Sequence, residues 1–355
     1  MASEDRQGRL GPHGTSAPDP VMASRLAAAR AGDQHEFTRL TEPHRRELQV
    51  HCYRILGSLH DAEDLVQETM LRAWRRLNSY EGRASLRSWL YKIATNACLD
   101  ALDKRPRRAL PAVTHPASDP SQPLMPPLTE PVWLEPLPDD MLADTEETPE
   151  ARYTAHESIT LAFLAALQTL PPRQRAVVIL CDVLDWRASE AAECLGMTLS
   201  AVNSALHRAR ETLARHYHRR DSVTSAHADE HTRALLDRYV RAWEAADVGA
   251  LVALLKEDTV FAMPPTPSWF HGPESIRAIL EAMPFAGDAR GRWKIVPTRA
   301  NGEPALALYQ RDESGGGVYR GFGLQVLTVE GDFFAEVTTF IDPGLLPRFG
   351  LPSTL

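Results

Sequence analysis

Cysteine is scarce in this chain: Cys52, Cys98, Cys181 and Cys194 are the only four in 355 residues. No two are spaced C-x-x-C, and His51 beside Cys52 has no partner at ligand spacing, which argues against a zinc site. Each lies in an apolar helical context, where a thiol packs as a small hydrophobe, and a reducing cytoplasm fits that usage. Long apolar runs are also missing. No stretch approaches the roughly 18 consecutive apolar residues of a membrane-spanning helix, so no membrane association is expected. The polar first 22 residues lack an apolar signal core and read as a disordered tail. There is no glycine-rich phosphate loop: Gly321-Phe-Gly323 lacks a third glycine and reads as strand. No cofactor is implied. Net basic charge is lacking too; the balance is −8, which argues against a protein that grips DNA unaided.

What is present is an uneven charge distribution. Residues 30–110 hold 15 Lys/Arg against 11 Asp/Glu, and residues 171–220 hold 8 against 5. Between them, residues 111–160 hold 1 against 10; after them, residues 221–355 hold 12 against 18. Weakly basic blocks flanked by acidic ones suit a protein brought to DNA by a larger partner. Residues 23–105 read as helical throughout. Residues 106–150 take 11 of the chain's 27 prolines and most of the acidic block, so they read as an extended acidic linker. Residues 151–220 return to helix. Residues 230–345 begin as helix and then alternate as strands over 293–298, 305–310, 318–328 and 333–341, with turns at Gly315-Gly-Gly317 and Glu330-Gly-Asp332.

The stretch Asp61–Leu77 carries most information. At 100° per residue, Ala62, Val66, Met70, Ala73, Trp74 and Leu77 share one apolar arc. Asp61, Asp64 and Glu68 share another, with Leu65 among them. That second side suits docking on a basic, partly apolar partner. A polar loop, Asn78–Ser85, follows. Then comes a helix from about Leu86 to Lys104, with Leu86, Leu90, Ile93, Ala97 and Ala101 on its core face. Its other side mixes aromatic, amide and cationic groups, which suits single-stranded DNA: rings stack on bases and cations meet phosphates. An ordinary amphipathic helix with a polar outside remains the alternative for each.

Taken in order, the acidic helix, the loop and Trp89-Leu-Tyr-Lys-Ile-Ala-Thr-Asn96 resemble regions 2.2 to 2.4 of sigma factors of the extracytoplasmic-function group. The resemblance implies polymerase-clamp contacts at Asp61, Asp64, Leu65, Gln67 and Glu68. It implies −10 contacts at Asn96, Tyr91 and Lys92, and at Arg83, Ser85 and Arg87, with a base flipped into the loop so that melting needs no nucleotide hydrolysis.

Residues 187–215 read as a helix-turn-helix. Ala188–Leu195 is its first helix, and Gly196 a left-handed C-cap. Thr198 caps the second helix, whose buried stripe is Val202, Leu206 and Ala209. Leu199, Ser200, Ala201, Asn203 and Ser204 lie where base edges would be met; His207, Arg208 and Arg210 lie where phosphates would be. Together with Leu170-Pro-Pro-Arg-Gln-Arg and Trp186, this resembles sigma region 4, which implies contact with the −35 element and the polymerase flap. Family members often carry a basic residue where Asn203 and Ala205 stand, so a weaker intrinsic −35 grip or another base preference is implied. The resemblance also implies that the linker threads the RNA exit path, its carboxylates mimicking RNA.

Residues 231–342 resemble the SnoaL-like group of the α+β cone fold, on Tyr239-Val-Arg-Ala-Trp-Glu-Ala-Ala-Asp247, Val260–Met263 and His271-Gly-Pro-Glu-Ser-Ile276. Pocket-wall candidates are Tyr239, Trp243, Phe261, Trp269, His271 and Tyr319, but no base–donor pair emerges by spacing, and the domain reads as regulatory. The expected architecture is therefore two all-α sigma domains plus a cone domain with a curved antiparallel sheet. The expected function is a non-enzymatic alternative sigma factor with core RNA polymerase and promoter DNA as partners, and an anti-sigma protein or small ligand as a candidate at the C-terminal domain. Two alternatives stand beside it: a ligand-sensing helix-turn-helix regulator independent of polymerase, and a cone-fold enzyme with a DNA-targeting module.

Overall fold

A computed structural model describes residues 20–104, 106–128, 133–142, 158–216, 226–312 and 316–355. The expected tail up to residue 19 and residues 143–150 of the linker lie outside the described residues, whereas Pro20, Val21 and Met22 begin a helix. In chain order, the helices that open the chain are α1 (Pro20–Arg30), α2 (Gln34–Thr41), α3 (Arg45–Leu56), α4 (Leu59–Arg76) and α5 (Leu86–Leu102). A short α6 (Pro111–Thr114) and α7 (Leu161–Thr169) come next. They precede α8 (Pro172–Val178), α9 (Ala188–Leu195) and α10 (Leu199–His216). Last are α11 (Ala226–Glu244), α12 (Val248–Val252) and α13 (Pro273–Ala282). The chain divides into two compact units. One takes residues up to 56, 60–105 and 172–207; the other takes 57–59, 106–171 and 208–355.

In the first unit the helices start where side chains can satisfy the free N–H groups. Asp33 accepts from the amides of His35 and Glu36 ahead of α2, and Ser85 accepts from Ser88 ahead of α5. The arcs read from periodicity are the packed ones: Ala62, Val66, Met70 and Ala73 of α4, Leu77 just after it, and Leu86, Leu90, Ile93 and Ala97 of α5 are buried, with Trp74 and Ala101 half-buried. Gly196 ends α9 at φ +62°, a conformation that costs a residue with a Cβ. Thr198 Oγ1 then accepts from Ala201 N at 3.1 Å to open α10.

The second unit is built on a six-stranded sheet ordered β2-β1-β6-β5-β4-β3. Its strands are β1 (Leu255–Ala262), β2 (Trp269–His271), β3 (Trp293–Ala300), β4 (Glu303–Arg311), β5 (Tyr319–Glu330) and β6 (Phe333–Phe340). The sheet is mixed, not purely antiparallel as expected, because β1 pairs parallel to β6. Two-residue alternation gives it two dry faces. Phe261, Leu306, Leu308, Leu327 and Val337 join Leu235, Tyr239 and Trp243 of α11 in one core. On the opposite face Ala262, Ala305, Ala307, Leu324, Val326 and Thr338 are equally buried.

The linker's described residues do not form a free spacer; they lie on this second unit. The Trp133 indole donates to Pro265 O at 2.9 Å, and the Trp269 indole donates to His115 O at 2.8 Å. Asn301, in the Asn-Gly turn between β3 and β4, accepts from Leu137 N at 2.9 Å and donates to Ile159 O at 2.8 Å. Asp139 accepts from Gly302 N and from Arg299 Nε. Leu134 and Leu137 are buried. Helix α7 belongs to the same unit: Glu303 Oε2 accepts from Leu161 N, and Ala162, Ala165 and Thr169 share the wall of a 190 Å³ cleft with Val260, Ala262 and Thr338.

Candidate nucleic-acid interface

Helix α4 turns Asp64 and Gln67 to solvent, with Glu68 and Leu65 partly exposed. Asp64 is 54% exposed and 3.9 Å from His60 Nε2; Glu68 accepts from Arg72 Nε at 2.8 Å, and Arg72 also meets Asp100 at 3.3 Å. Leu71, 42% exposed, continues this face and was not among the residues singled out from sequence. Asp61 departs from the expected set. It is buried in the first turn of α4, where the free N–H groups favour a carboxylate, so it does not contribute to the acidic surface.

The candidate −10 residues divide in the same way. Arg83, Ser85 and Lys92 are exposed and Asn96 half-exposed, its amide donating to Lys92 O. Arg83 pairs with Glu81. The loop that carries them is closed by Tyr80, whose hydroxyl donates to Ala84 O at 2.8 Å and whose ring stands 5.1 Å from Trp89. Arg87 is engaged with Glu47: Nε donates to Oε2 at 2.7 Å. Burial pushes the Glu47 carboxyl up, but His44 and Arg87 outweigh it and hold the group below the usual carboxylate range. Tyr91 is the exception among these candidates. It is 1% exposed, its hydroxyl donates to Glu47, and its ring stands 4.8 Å from His51 and 5.6 Å from Trp186. No base can stack on it in this arrangement. Burial drives its phenol well above the ordinary tyrosine range, and burial takes the His51 imidazole down to about 3.

Helix α10 carries the residues expected to meet the −35 element. Val202, Ala205 and Ala209 are buried and Leu206 is half-buried. Leu199, Ser200, Asn203, Ser204, His207, Arg208 and Arg210 are exposed, and Ala201 is half-exposed. A helix with small polar groups at its N-terminal end and cations farther along can place base-reading and phosphate-binding groups on one side. Among the described residues there is no cluster that could hold a metal ion, and no helix is long and apolar enough to cross a membrane.

The six residues named as pocket walls are not among those lining the clefts of about 390 Å³ and 190 Å³ in this unit. Tyr239, Trp243 and Phe261 are core side chains. Trp243 lies edge-on to Phe285 at 5.1 Å and to Trp293 at 6.2 Å, while the Tyr239 hydroxyl donates to Gln325, which donates to Thr339. Trp269 and His271 are on the short β2 and face each other, and Tyr319 donates to Gly291 O at the surface.

Residues 40–108 match Sigma-70 region 2, residues 160–213 match Sigma-70 region 4, and residues 236–337 match the SnoaL-like domain. The chain is 44% identical over 330 residues to the ECF RNA polymerase sigma factor SigG of Mycobacterium tuberculosis, covering 93% of this chain and 86% of that one. It is 32% identical over 201 residues to SigE of Mycolicibacterium smegmatis, covering 56% of this chain and 68% of that one. The crystal structure of the Mycobacterium tuberculosis extracytoplasmic function sigma factor SigJ matches 88% of this chain and 98% of its own, with TM-score 0.57 at 23% identity, which speaks for the fold. The chain belongs to the ECF RNA polymerase sigma factors, with a SnoaL-like domain at its C-terminal side, and directs transcription initiation together with core RNA polymerase and promoter DNA.

Proposed function

We propose that the chain docks on the polymerase clamp through Asp64, Leu65, Gln67 and Glu68, with Leu71 extending the contact. Region 4 takes the flap and the −35 element through α10. Arg83, Ser85, Arg87, Lys92 and Asn96 take the −10 element, joined by Tyr91 once its ring is uncovered. The observation that carries this reading is the separation of roles along α4 and α10: each buries its periodic stripe and leaves the candidate contacts at the surface. A helix with an acidic outer side and leucines among the acids fits a basic, partly apolar clamp surface.

The C-terminal domain acts in this reading as a regulatory module rather than as an enzyme. Its interior is packed with aromatic rings, and the cleft of about 390 Å³ beside that core is lined by Arg238, Arg241, Asp247 and small apolar side chains, a wall unlike the buried carboxylate base and oxyanion donor that this fold uses for catalysis. Its outer surface instead holds the linker and α7 by named hydrogen bonds. The test is run-off transcription with purified core polymerase on a promoter bearing −35 and −10 elements, with the full chain and with a truncation at about residue 220. Core-dependent transcripts whose yield changes on truncation support both parts. Absence of core-dependent transcripts refutes the sigma assignment of these surfaces, and equal yield refutes the regulatory role.

A further inference from the structure

Within the first unit, residues of the region 4 match cover the side of α5 that carries Tyr91. The Trp186 ring lies 5.6 Å from the Tyr91 ring, and both side chains are buried, at 5% and 1% exposure. One turn farther along α5, the fully buried Thr95 hydroxyl is hydrogen-bonded to the thiol of Cys194 on α9. The same hydroxyl donates to Tyr91 O and meets His51 Nε2 at 2.8 Å. On α8 the fully buried Arg175 donates to Ile55 O at the end of α3, at 2.6 Å. Three elements of region 4 thus sit on α3 and α5 through an aromatic pair, a thiol–hydroxyl contact and a buried cation.

These contacts differ from those of a domain surface left for DNA. An aromatic ring offered to a flipped base is half exposed and stacks from one side; Tyr91 has both its neighbours supplied by the chain. Lys92 and Asn96, next to it on α5, remain at the surface. The cover therefore falls on one residue of the candidate −10 set and spares the adjacent cation and amide.

We propose that region 4 is an internal lid on the −10-reading side of region 2: Trp186 occupies the place on Tyr91 that an unstacked promoter base takes, and the two matches must part before the −10 element can be captured. The inference rests on the assignment of Tyr91 to the −10 element. It predicts a free chain with weak affinity for single-stranded −10 DNA, rising on polymerase, whose separate sites for regions 2 and 4 hold the lid open.

The test is a reversible lock made in the full chain. Thr95→Cys places a second thiol against Cys194, and mild peroxide joins them: one thiolate is oxidised to a sulfenic acid, the other displaces its oxygen as water, and a disulfide forms. The oxidised variant is compared with the same variant after reduction, and the unsubstituted protein under the same peroxide controls for Cys52 and Cys98. Run-off transcription from core polymerase should fall by about tenfold or more on oxidation and return on reduction. A second variant, Trp186→Ala, should raise binding of a fluorescent −10 single strand by the free chain by about tenfold, the size expected for one aromatic pair. A fully cross-linked variant that transcribes as well as its reduced form overturns the lid. The −10 assignment fails separately, if Tyr91→Ala leaves promoter opening by the reduced chain unchanged.

Discussion

The charge reversal Asp64→Arg plus Glu68→Arg separates docking from folding. Asp64 is 54% exposed, and its partner His60 is 3.9 Å away and itself 62% exposed. Glu68 is 38% exposed and pairs with Arg72, one helical turn on. Surface pairs of this kind are worth about 0.3–0.5 kcal/mol. Arg72 keeps Asp100 as a partner at 3.3 Å after the change. Both positions lie off the buried arc of Ala62, Val66, Met70 and Ala73, so no cavity opens. The fold should lose less than about 1 kcal/mol, seen as a melting shift of a few degrees at most. Docking should suffer far more. Two carboxylates become two guanidinium groups, and like charges brought together at an interface cost several kcal/mol, or about 100-fold or more in affinity. Titration of fluorescent core polymerase with each protein gives the affinity, and calorimetry gives the fold. An unchanged melting temperature with at least 100-fold weaker core binding is the expected pair of results. Intact core binding by the folded double variant would refute the docking role of α4.

Three further outcomes follow from buried groups. His51 stays neutral in the fold because burial takes its pKa down to about 3; the unfolded chain binds a proton near the ordinary value of about 6.5. The sign follows: stability conferred by His51 is present above about pH 6.5 and is lost as pH falls below it toward 3, at up to about 1.4 kcal/mol per pH unit. Unfolding free energies from urea titration at pH 7 and pH 5 should differ by about 2 kcal/mol, and His51→Gln should shrink the difference. Asn301→Ala leaves two buried backbone groups, Leu137 N and Ile159 O, without their bonds, at about 1–3 kcal/mol each when unsatisfied. Hydrogen exchange at Leu137 should accelerate while exchange in α5 stays the same. Gly57 has φ +72°, and a Cβ there would come within 2.4 Å of Leu134 Cδ2. Gly57→Ala should therefore loosen residues 133–137, read by proteolysis at the linker, by about 1–3 kcal/mol.

Most of the helical half was legible because its signals are local. The 3.6-residue stripe of α4, the Gly196 cap and the Thr198 cap are set by neighbours within one or two turns, and the structure keeps them. Strands β3 to β6 were legible from alternation and turn residues. What escaped was non-local. A period-2 pattern cannot say that β1 runs parallel to β6, nor that both faces of the sheet are dry, since side chains far apart in sequence, among them Leu110, Val113, Ala162, Ala165 and Thr169, lie against the second face beside Ala262 and Thr338. Tyr91 and Asp61 read as surface residues because their helical angle points away from the local core; a second layer of packing, from Trp186 for Tyr91, is absent from that angle. Tyr239, Trp243 and Phe261 read as pocket walls because a cavity wall and a ring-filled core use the same residue types. The Asn301-Gly302 pair signals a turn, but nothing local announces that its amide holds the linker.

The placement of the linker bears on the suggestion that its carboxylates mimic RNA. Residues 133–142 are tied down at Trp133, Leu134, Leu137 and Asp139, and four large apolar side chains, Leu142 included, are buried there. Their burial contributes roughly 6–12 kcal/mol in gross terms. Ordering ten residues opposes it by roughly 10 kcal/mol or more, so hydrogen bonds such as those of Asn301 decide whether the segment stays down. A strap so balanced can leave the sheet when polymerase offers its carboxylates a basic channel. Charge and anchorage then make opposite predictions for initiation. Neutralising Asp144, Glu146, Glu147 and Glu150, which follow the strap in sequence, should impair run-off without changing core affinity, whereas Asn301→Ala, which weakens the anchor and keeps the charge, should raise it. Deleting residues 115–148 removes both and should impair initiation, because an unanchored chain without its carboxylates gains nothing from release. If the neutralised chain initiates as well as the original, the carboxylates are a solvated surface and the anchor alone explains why the C-terminal domain holds this segment.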